Sequence, residues 1–306
     1  MTSILTITLN PTIDVSGETD TVRPTRKTRV TSLRHDPGGG GINVARVIGV
    51  LGGEAEALYL AGGEMGDFLD RLLAERGVRC HRIKMKGETR VAFMVREQST
   101  GLEYRFIPDG PPITEEDLQP CIEAVAGYGH GFVVASGSLP PGAPEDTYAR
   151  MAKLTAQRGA RFVLDSSGPA LFRALEAGGL FMVKPSQREL EQYAGRKLDE
   201  DGLRHVAMEI VARKQAEVVA VTMGPDGALL ATSSGVLRES AIHVRVRSAV
   251  GSGDSFVAAM VWSISEGHSM EYAFRLGMAA GSAAAMTPGT ELCRRDDVFR
   301  LHGAPI

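Results

Sequence analysis

The stretch AVGSGDSFVAAM at 249–260 sets a carboxylate directly behind a Gly-Ser-Gly run and ahead of small apolar residues. Gly251, Ser252 and Gly253 suit a backbone nest whose N–H groups face an anion at a helix N-terminus. Asp254 beside such a cradle has two readings. It caps the helix, the commoner role for Asp in that place, or it does chemistry. Phosphoryl transfer needs dipoles on the moving oxygens and a residue that takes the proton of the attacking hydroxyl. One loop would supply both, since an Asp of ordinary pKa, ~3.9, is ionised and ready to accept at neutral pH. Both readings stay open on these residues alone.

Other segments carry chemistry of a compatible kind. RHDPGGGGINVAR (34–46) sets Gly38 to Gly41 before a helical pattern, so that backbone approaches a ligand closely. Asn43 in its first turn suits a sugar hydroxyl, and Gly39 lies in the approach. The run is not a dinucleotide fingerprint, because no acidic residue closes a second strand at the required distance. TLNPTID (8–14) ends the first strand with Asn10, Pro11 and Asp14, either a carboxylate for sugar hydroxyls or an Asx turn. Ser138 in SGSLPPG (136–142) follows a strand and faces the same crevice. In VKPSQRELEQ (183–192) Lys184 ends a strand, while Ser186 and Glu189 have capping-box spacing. A Glu at such a crevice also suits Mg²⁺ held through water. TMGPDGAL (222–229) is a tight turn to a next strand or a loop over nucleotide phosphates.

These segments need a scaffold that brings them together. ILTITL (4–9), EALYLA (56–61), GFVVAS (131–136), RFVLDS (161–166), LFMVKP (180–185) and EVVAVT (217–222) read as buried strands. Between them lie GINVARVIGVLG, MGDFLDRLLAERG and GLRHVAMEIVARKQ, which read as helices. Strand–helix alternation predicts a mainly parallel sheet covered on both faces, with sites beyond the C-terminal strand ends. TRVAFMVRE (89–97) and LEYRFIP (102–108) read instead as a hairpin, and 14–36 alternates like strand. Together they predict a small β lid, discontinuous over about 14–36 and 88–108, on a single domain spanning 1–306.

Composition excludes several classes. The chain has 306 residues and a net charge of −3, with both signs dispersed, so it shows no footprint for nucleic acid. The basic VRPTRKTR (22–29) reads as a solvated segment. Cys80, Cys121 and Cys293 are three and far apart, which argues against a disulfide framework or a zinc site. No stretch reads as a signal peptide or a membrane span, so a cytoplasmic protein is expected.

PGGGGINVAR, SGSLPPG, VKPSQRE, TMGPDGA and AVGSGDSFVAAM occur in the order and spacing of the ribokinase-like (PfkB) carbohydrate kinases, and the chain resembles that family end to end. Within it the similarity is to the phosphosugar branch. The resemblance implies a three-layer α/β/α fold with a β lid. It implies ATP- and Mg²⁺-dependent phosphorylation of a ketohexose phosphate, fructose 6-phosphate first, with fructose 1-phosphate and tagatose 6-phosphate as alternatives. Asp254 matches the family's base and Gly251, Ser252 and Gly253 its anion hole. Asp14, Gly39, Asn43 and Ser138 match sugar-phosphate contacts, and Arg90 and Arg105 would hold the substrate phosphate. Lys184, Ser186, Thr222, Gly224, Gly227, Ser248 and Ser282 match the ATP side, with Glu189 toward Mg²⁺. Lys27 would reach across a homodimer formed through the lids.

Three departures stand out. Ser186 replaces the usual Asn, and Ala249 the usual Thr. Thr287 and Glu291 replace an Asn and an Arg in a monovalent-cation loop near Ser248, Val250, Ala284 and Gly289, which puts K⁺ in doubt. A reading of another class, a non-catalytic sugar-phosphate sensor, is kept open by the Ser186 change and opposed by Asp254 and Glu189.

Overall fold

The computed structural model describes residues 3–303. In chain order the elements are β1 (Ile4–Thr8), β2 (Thr12–Thr19), β3 (Thr31–Gly38), α1 (Gly40–Leu51), β4 (Glu56–Ala61), α2 (Gly63–Glu75) and β5 (Arg79–Lys84). There follow β6 (Arg90–Glu97), β7 (Glu103–Phe106), α3 (Glu115–Gly127), β8 (Phe132–Ser136), α4 (Thr147–Gln157), β9 (Arg161–Asp165), α5 (Gly168–Ala177) and β10 (Leu180–Val183). The last part holds α6 (Gln187–Ala194), α7 (Glu200–Ala212), β11 (Ala216–Thr222), β12 (Ala228–Thr232), β13 (Gly235–Glu239), α8 (Ser252–Ser265), α9 (Met270–Ala285) and α10 (Arg295–His302).

Nine strands form one sheet in the order β13-β12-β11-β10-β9-β8-β1-β4-β5. The strands from β11 through β5 pair in parallel, and β12 and β13 add an antiparallel edge. Central strands such as ILTIT and FVVAS are buried along their whole length, as strands covered on both faces must be. One core packs α3 to α7 against one face, around Leu118, Tyr148, Leu171 and Ile210. The other packs α1, α8, α9 and α10 on the opposite face, around Ile48, Phe256, Phe274 and Phe299. The three-layer expectation holds. Strand β5 escaped it because RCHRIK is an edge strand of charged, half-exposed residues with no apolar run.

From β1 the chain moves outward one way to β4 and β5 and the other way to β8 through β11. The seam between β1 and β8 is therefore the topological switch point, where open α/β sheets form their crevice. Strands β3-β2-β6-β7 make a separate small sheet. Its strands fall within or beside the two segments expected to form a lid. Asp14 belongs here: β1 ends at Thr8, and Asp14 lies on β2, not at the end of the first strand.

Candidate active site

The ends of β1, β8, β9 and β10 and the first turns of α1 and α8 converge at the switch point. Glycines make this approach feasible. A Cβ at Gly39 would lie 2.6 Å from Thr8 Cγ2, at Gly40 2.2 Å from Ser136 Oγ, and at Gly41 2.3 Å from the Ile7 carbonyl oxygen. The glycine run thus seats α1 on the strand ends, a requirement of packing as well as of any ligand. At Gly38 a Cβ would strike the Asp14 carboxylate at 2.2 Å, so glycine there gives Asp14 its room.

Helix α8 begins behind Gly251, whose left-handed φ of 73° suits glycine. The first intrahelical bond is Ser255 N–H to the Gly251 carbonyl at 2.8 Å, so the N–H groups of Ser252, Gly253 and Asp254 have no acceptor within the helix. Asp254 does not cap its helix. Its Oδ2 accepts from Asn43 Nδ2 at 2.9 Å and its Oδ1 from Ser136 Oγ at 3.3 Å. Asn43 is oriented in turn by Arg46, which donates to Asn43 Oδ1 at 3.1 Å and to the Pro37 carbonyl at 2.9 Å. The side chain is thereby aimed toward β8 and α1. Burial lifts the Asp254 pKa to about 6; Asp165 adds to the lift, while Asn43, Lys184 and Ser136 oppose it.

Beside it stands a buried ion pair, Lys184 Nζ to Asp165 Oδ1 at 3.1 Å. Burial works against the lysine charge, but Asp165, then Glu189 and Asp254, more than offset it and hold the pKa above the usual lysine value. A Cβ at Gly253 would lie 3.4 Å from Lys184 Nζ, so the ammonium sits against the α8 N-terminus. Asp14 faces the same charges: burial, then Asp36, raise its pKa to about 7, Arg46 and Arg90 lower it, and Asp254 raises it further.

The remaining expected residues divide. Ser186 and Glu189 form a reciprocal capping box on α6, with Ser186 N–H to Glu189 Oε2 at 2.7 Å and Glu189 N–H to Ser186 Oγ at 3.3 Å. Thr222 bridges Ser186, and Gly224 and Gly227 follow it at positive φ, 58° and 100°, in the β11–β12 turn. Ser282 lies on α9 next to Gly281, which meets the Ser252 carbonyl. Ser138 accepts from Asn10 Nδ2 at 3.4 Å. Arg90 spends three of its five donors on main-chain carbonyls, at Asn10 (2.8 Å), Pro108 (2.8 Å) and Pro11 (3.4 Å). Arg105 lies on the same face of the small sheet as Asp14 but pairs with Glu103 at 3.0 Å. Ser248 is buried and donates to Glu103 Oε2 at 3.3 Å, toward the small sheet. Lys27 is not brought to the cluster within one chain. It lies beyond the far end of β2, and the strand from Asp14 to Thr19 alone spans about 17 Å. Asp165, Ser136 and Arg46 were not singled out from sequence. The only available sign was a polar residue closing each of two apolar strands.

Two ions were implied. Among the described residues no three His, Cys, Asp or Glu side chains gather to cage a metal. Glu189, with Oε1 outside the capping box, fits a Mg²⁺ that keeps its waters and takes substrate phosphates as its other ligands. The K⁺ loop fits poorly. The Ala284 carbonyl accepts from Thr287 N–H at 3.1 Å, and the Thr287 hydroxyl lies 2.7 Å from it with one proton to give. That hydroxyl also lies against the Glu291 carbonyl. The Glu291 side chain is held by Arg34 at 3.1 Å and Arg294 at 2.8 Å.

Residues 1–297 match the family model described as pfkB family carbohydrate kinase. The ATP-dependent 6-phosphofructokinase isozyme 2 of Mycobacterium tuberculosis is 44% identical over 97% of this chain and 88% of its own. The enzyme of the same name from Escherichia coli is 39% identical over 99% of this chain and 98% of its own. The crystal structure of E. coli phosphofructokinase-2 with substrates and products superposes with a TM-score of 0.94 at 39% identity, over 98% of each chain. The same protein with potassium gives 0.95 at 39% identity, over 99% of each. A carboxylate poised beside free helix-terminal amides and a buried lysine, on a scaffold shared with these enzymes, leads to one conclusion: the chain belongs to the pfkB family of carbohydrate kinases, phosphotransferases acting on a sugar hydroxyl.

Proposed function

We propose that the chain transfers the γ-phosphoryl group of ATP to a ketohexose phosphate, fructose 6-phosphate at its O1 hydroxyl, with Asp254 as general base. The observation that carries this reading is the aim of Asp254, held by Asn43 and Ser136 instead of its own helix. In the proposed step the sugar oxygen forms its bond to phosphorus as the bond to the ADP oxygen breaks. The hydroxyl proton passes to the Asp254 carboxylate. The N–H groups of residues 252–254 receive the oxygens of the moving group, dipoles that need no rearrangement as charge builds. Lys184 adds a fixed positive charge beside them. Mg²⁺, on the Glu189 side, would shield the phosphate charges when bound. The two free donors of Arg90, with Arg105, suit the substrate phosphate in the forked geometry guanidinium provides.

The small sheet supports the lid and dimer parts of the reading. Its polar face carries Asp14, Ser16, Met94 and Arg105 toward the body, where Ser16 meets Gly289. Its other face exposes Leu33 (57%), Phe93 (49%) and Phe106 (62%), and a second copy of the chain is the covering we infer. That pairing would bring Lys27 to the partner's site. Among the described residues no helix is long and apolar enough to cross a membrane; the cytoplasmic location is part of the proposed reading.

The test is ADP release over a panel of fructose 6-phosphate, fructose 1-phosphate, tagatose 6-phosphate and unphosphorylated fructose. Fructose 6-phosphate is expected to give the highest kcat/KM. A preference for another phosphosugar would move the assignment within the branch. Binding without turnover on any member would favour a sensor.

A further inference from the structure

Asp36 is buried near the C-terminal end of β3, with three guanidinium groups around its carboxylate. Arg76 donates to Oδ1 at 2.6 Å, Arg46 Nη2 lies 4.0 Å from the same oxygen, and Arg34 lies 3.6 Å from Oδ2. Thr290 donates to Oδ2 at 2.8 Å. We propose that Asp36, two side chains removed from Asp254, is a positioning residue for the reaction. It holds Arg46 in place, and through Arg46 and Asn43 it sets the direction of the Asp254 carboxylate. The proposal rests on the reading of Asp254 as the base.

The contacts in this chain have a fixed sense. A guanidinium only donates, so the Asn43 oxygen must face Arg46, which bonds Oδ1 at 3.1 Å. That leaves the Asn43 amide nitrogen for Asp254 Oδ2, to which it donates at 2.9 Å. With the amide turned over, its oxygen would face the carboxylate and the two acceptors would repel. Arg46 therefore decides which end of Asn43 the base meets. Its other tie, to the Pro37 carbonyl at 2.9 Å, comes from the residue after Asp36. One short piece of β3 seats the whole guanidinium.

Two carboxylates compete for that guanidinium. Asp14 on β2 stands directly opposite Asp36 on β3, and like charges in that register repel. Burial lowers the Arg46 pKa to about 10; Asp36 opposes the lowering more strongly than Asp14 does, while Arg76 and Arg34 add to it. With Asp36 neutral, Asp14 becomes the stronger attraction, and the guanidinium is free to shift toward it and off Asn43. The other contacts of Asp36 serve a different end. Arg76 closes α2 and Thr290 belongs to the 286–291 loop, so both fasten β3 to the body and neither bonds Asn43. Removing them separates anchoring from positioning.

Steady-state ADP release with a phosphosugar that the parent turns over is the first measurement. Asp36→Asn should lower kcat roughly 10- to 100-fold and leave the KM for ATP within about twofold. Arg76→Ala and Thr290→Val should lower the Tm yet keep kcat within about twofold of the parent. Parental kcat in Asp36→Asn, or an equal fall in Arg76→Ala, overturns the proposal. If Asp36→Asn does not fold, Arg46→Lys takes its place here and below, since it keeps the charge and loses the fork. Parental kcat there overturns the proposal equally. The second measurement needs no turnover. The Tm shifts of Asp36→Asn and Asp254→Asn should fail to add, because both act on one chain of contacts, while those of Thr290→Val and Asp254→Asn should add. Additive shifts in both pairs overturn the positioning whatever sugar is accepted. Refusal of every sugar by a parent whose shifts are coupled sinks only the kinase reading.

Discussion

Asp254 combines burial, which raises its pKa to about 6, with two hydrogen bonds that oppose the rise. A base with a pKa just below neutral is mostly ionised at pH 7 yet holds the proton it takes better than an ordinary Asp. Activity should therefore decline as pH falls through about 6. Asp14, at about 7, titrates against it, so the acidic limb belongs to the pair in the parent and should simplify in Asp14→Asn. Asp254→Asn is expected to lower kcat by roughly 10²–10⁴ while sparing ATP affinity, measured by ADP release and equilibrium binding. Its stability has a defined sign. An acid whose folded pKa is raised binds more protons when folded, so its burial costs stability above that pKa and costs nothing below the unfolded value. The Asn variant should thus melt higher than the parent at pH 8 and lose that advantage as pH falls from about 6 toward 4. The carboxylate was legible from its glycine loop. Asp165 was not, because only folding sets β9 beside β10 and thereby Asp165 beside Lys184. Asp165→Asn leaves a buried lysine without its nearest counter-charge and should cost about 3–5 kcal/mol in urea unfolding.

Among the elements, those with strong local grammar were the easiest to read. The Ser186–Glu189 capping box forms both of its bonds, and the 89–108 hairpin pairs Phe93 with Phe106 and Met94 with Arg105. The 286–291 loop had no such grammar, and its substitutions gain a meaning only in three dimensions. Thr287 bonds the Ala284 carbonyl, while Glu291 takes Arg34 from β3 and Thr290 donates to Asp36 at 2.8 Å. Side chains of this protein thus tie the loop to β3 and to its own carbonyls. If these ties leave K⁺ no site, replacing K⁺ by Na⁺ at constant ionic strength should change neither the rate nor the Tm, since an ion that does not bind gives no linkage stabilisation. A K⁺-specific rise in Tm would show that the carbonyls reopen in solution. Thr287→Ala, which frees Ala284, is the variant in which a K⁺ response should emerge.

At the scale of the molecule, alternation of buried strands with helices was enough to foresee the parallel sheet and the crevice at its switch point. The small sheet's two faces were less legible, because period-two alternation separates the faces without saying what covers each. The structure answers for one: the Asp14 face lies on the body. On the other, Phe93 and Phe106 stand directly opposite each other and are 49% and 62% exposed, an aromatic pair of the kind that anchors interfaces. If a second copy covers them, one substitution tests assembly and catalysis together. Phe93→Glu/Phe106→Glu sets two carboxylates on that face, and sedimentation velocity should show monomers where the parent sediments as a dimer. The monomer should keep its fold, since neither ring belongs to the cores. On the proposed pairing it should nonetheless turn over poorly, because Lys27 lies at the far end of its own sheet and would serve only a partner's site. Lys27→Ala in an intact dimer should reproduce the loss without dissociation. A monomer with parental kcat/KM would separate the dimer from the chemistry and leave Lys27 outside the reaction.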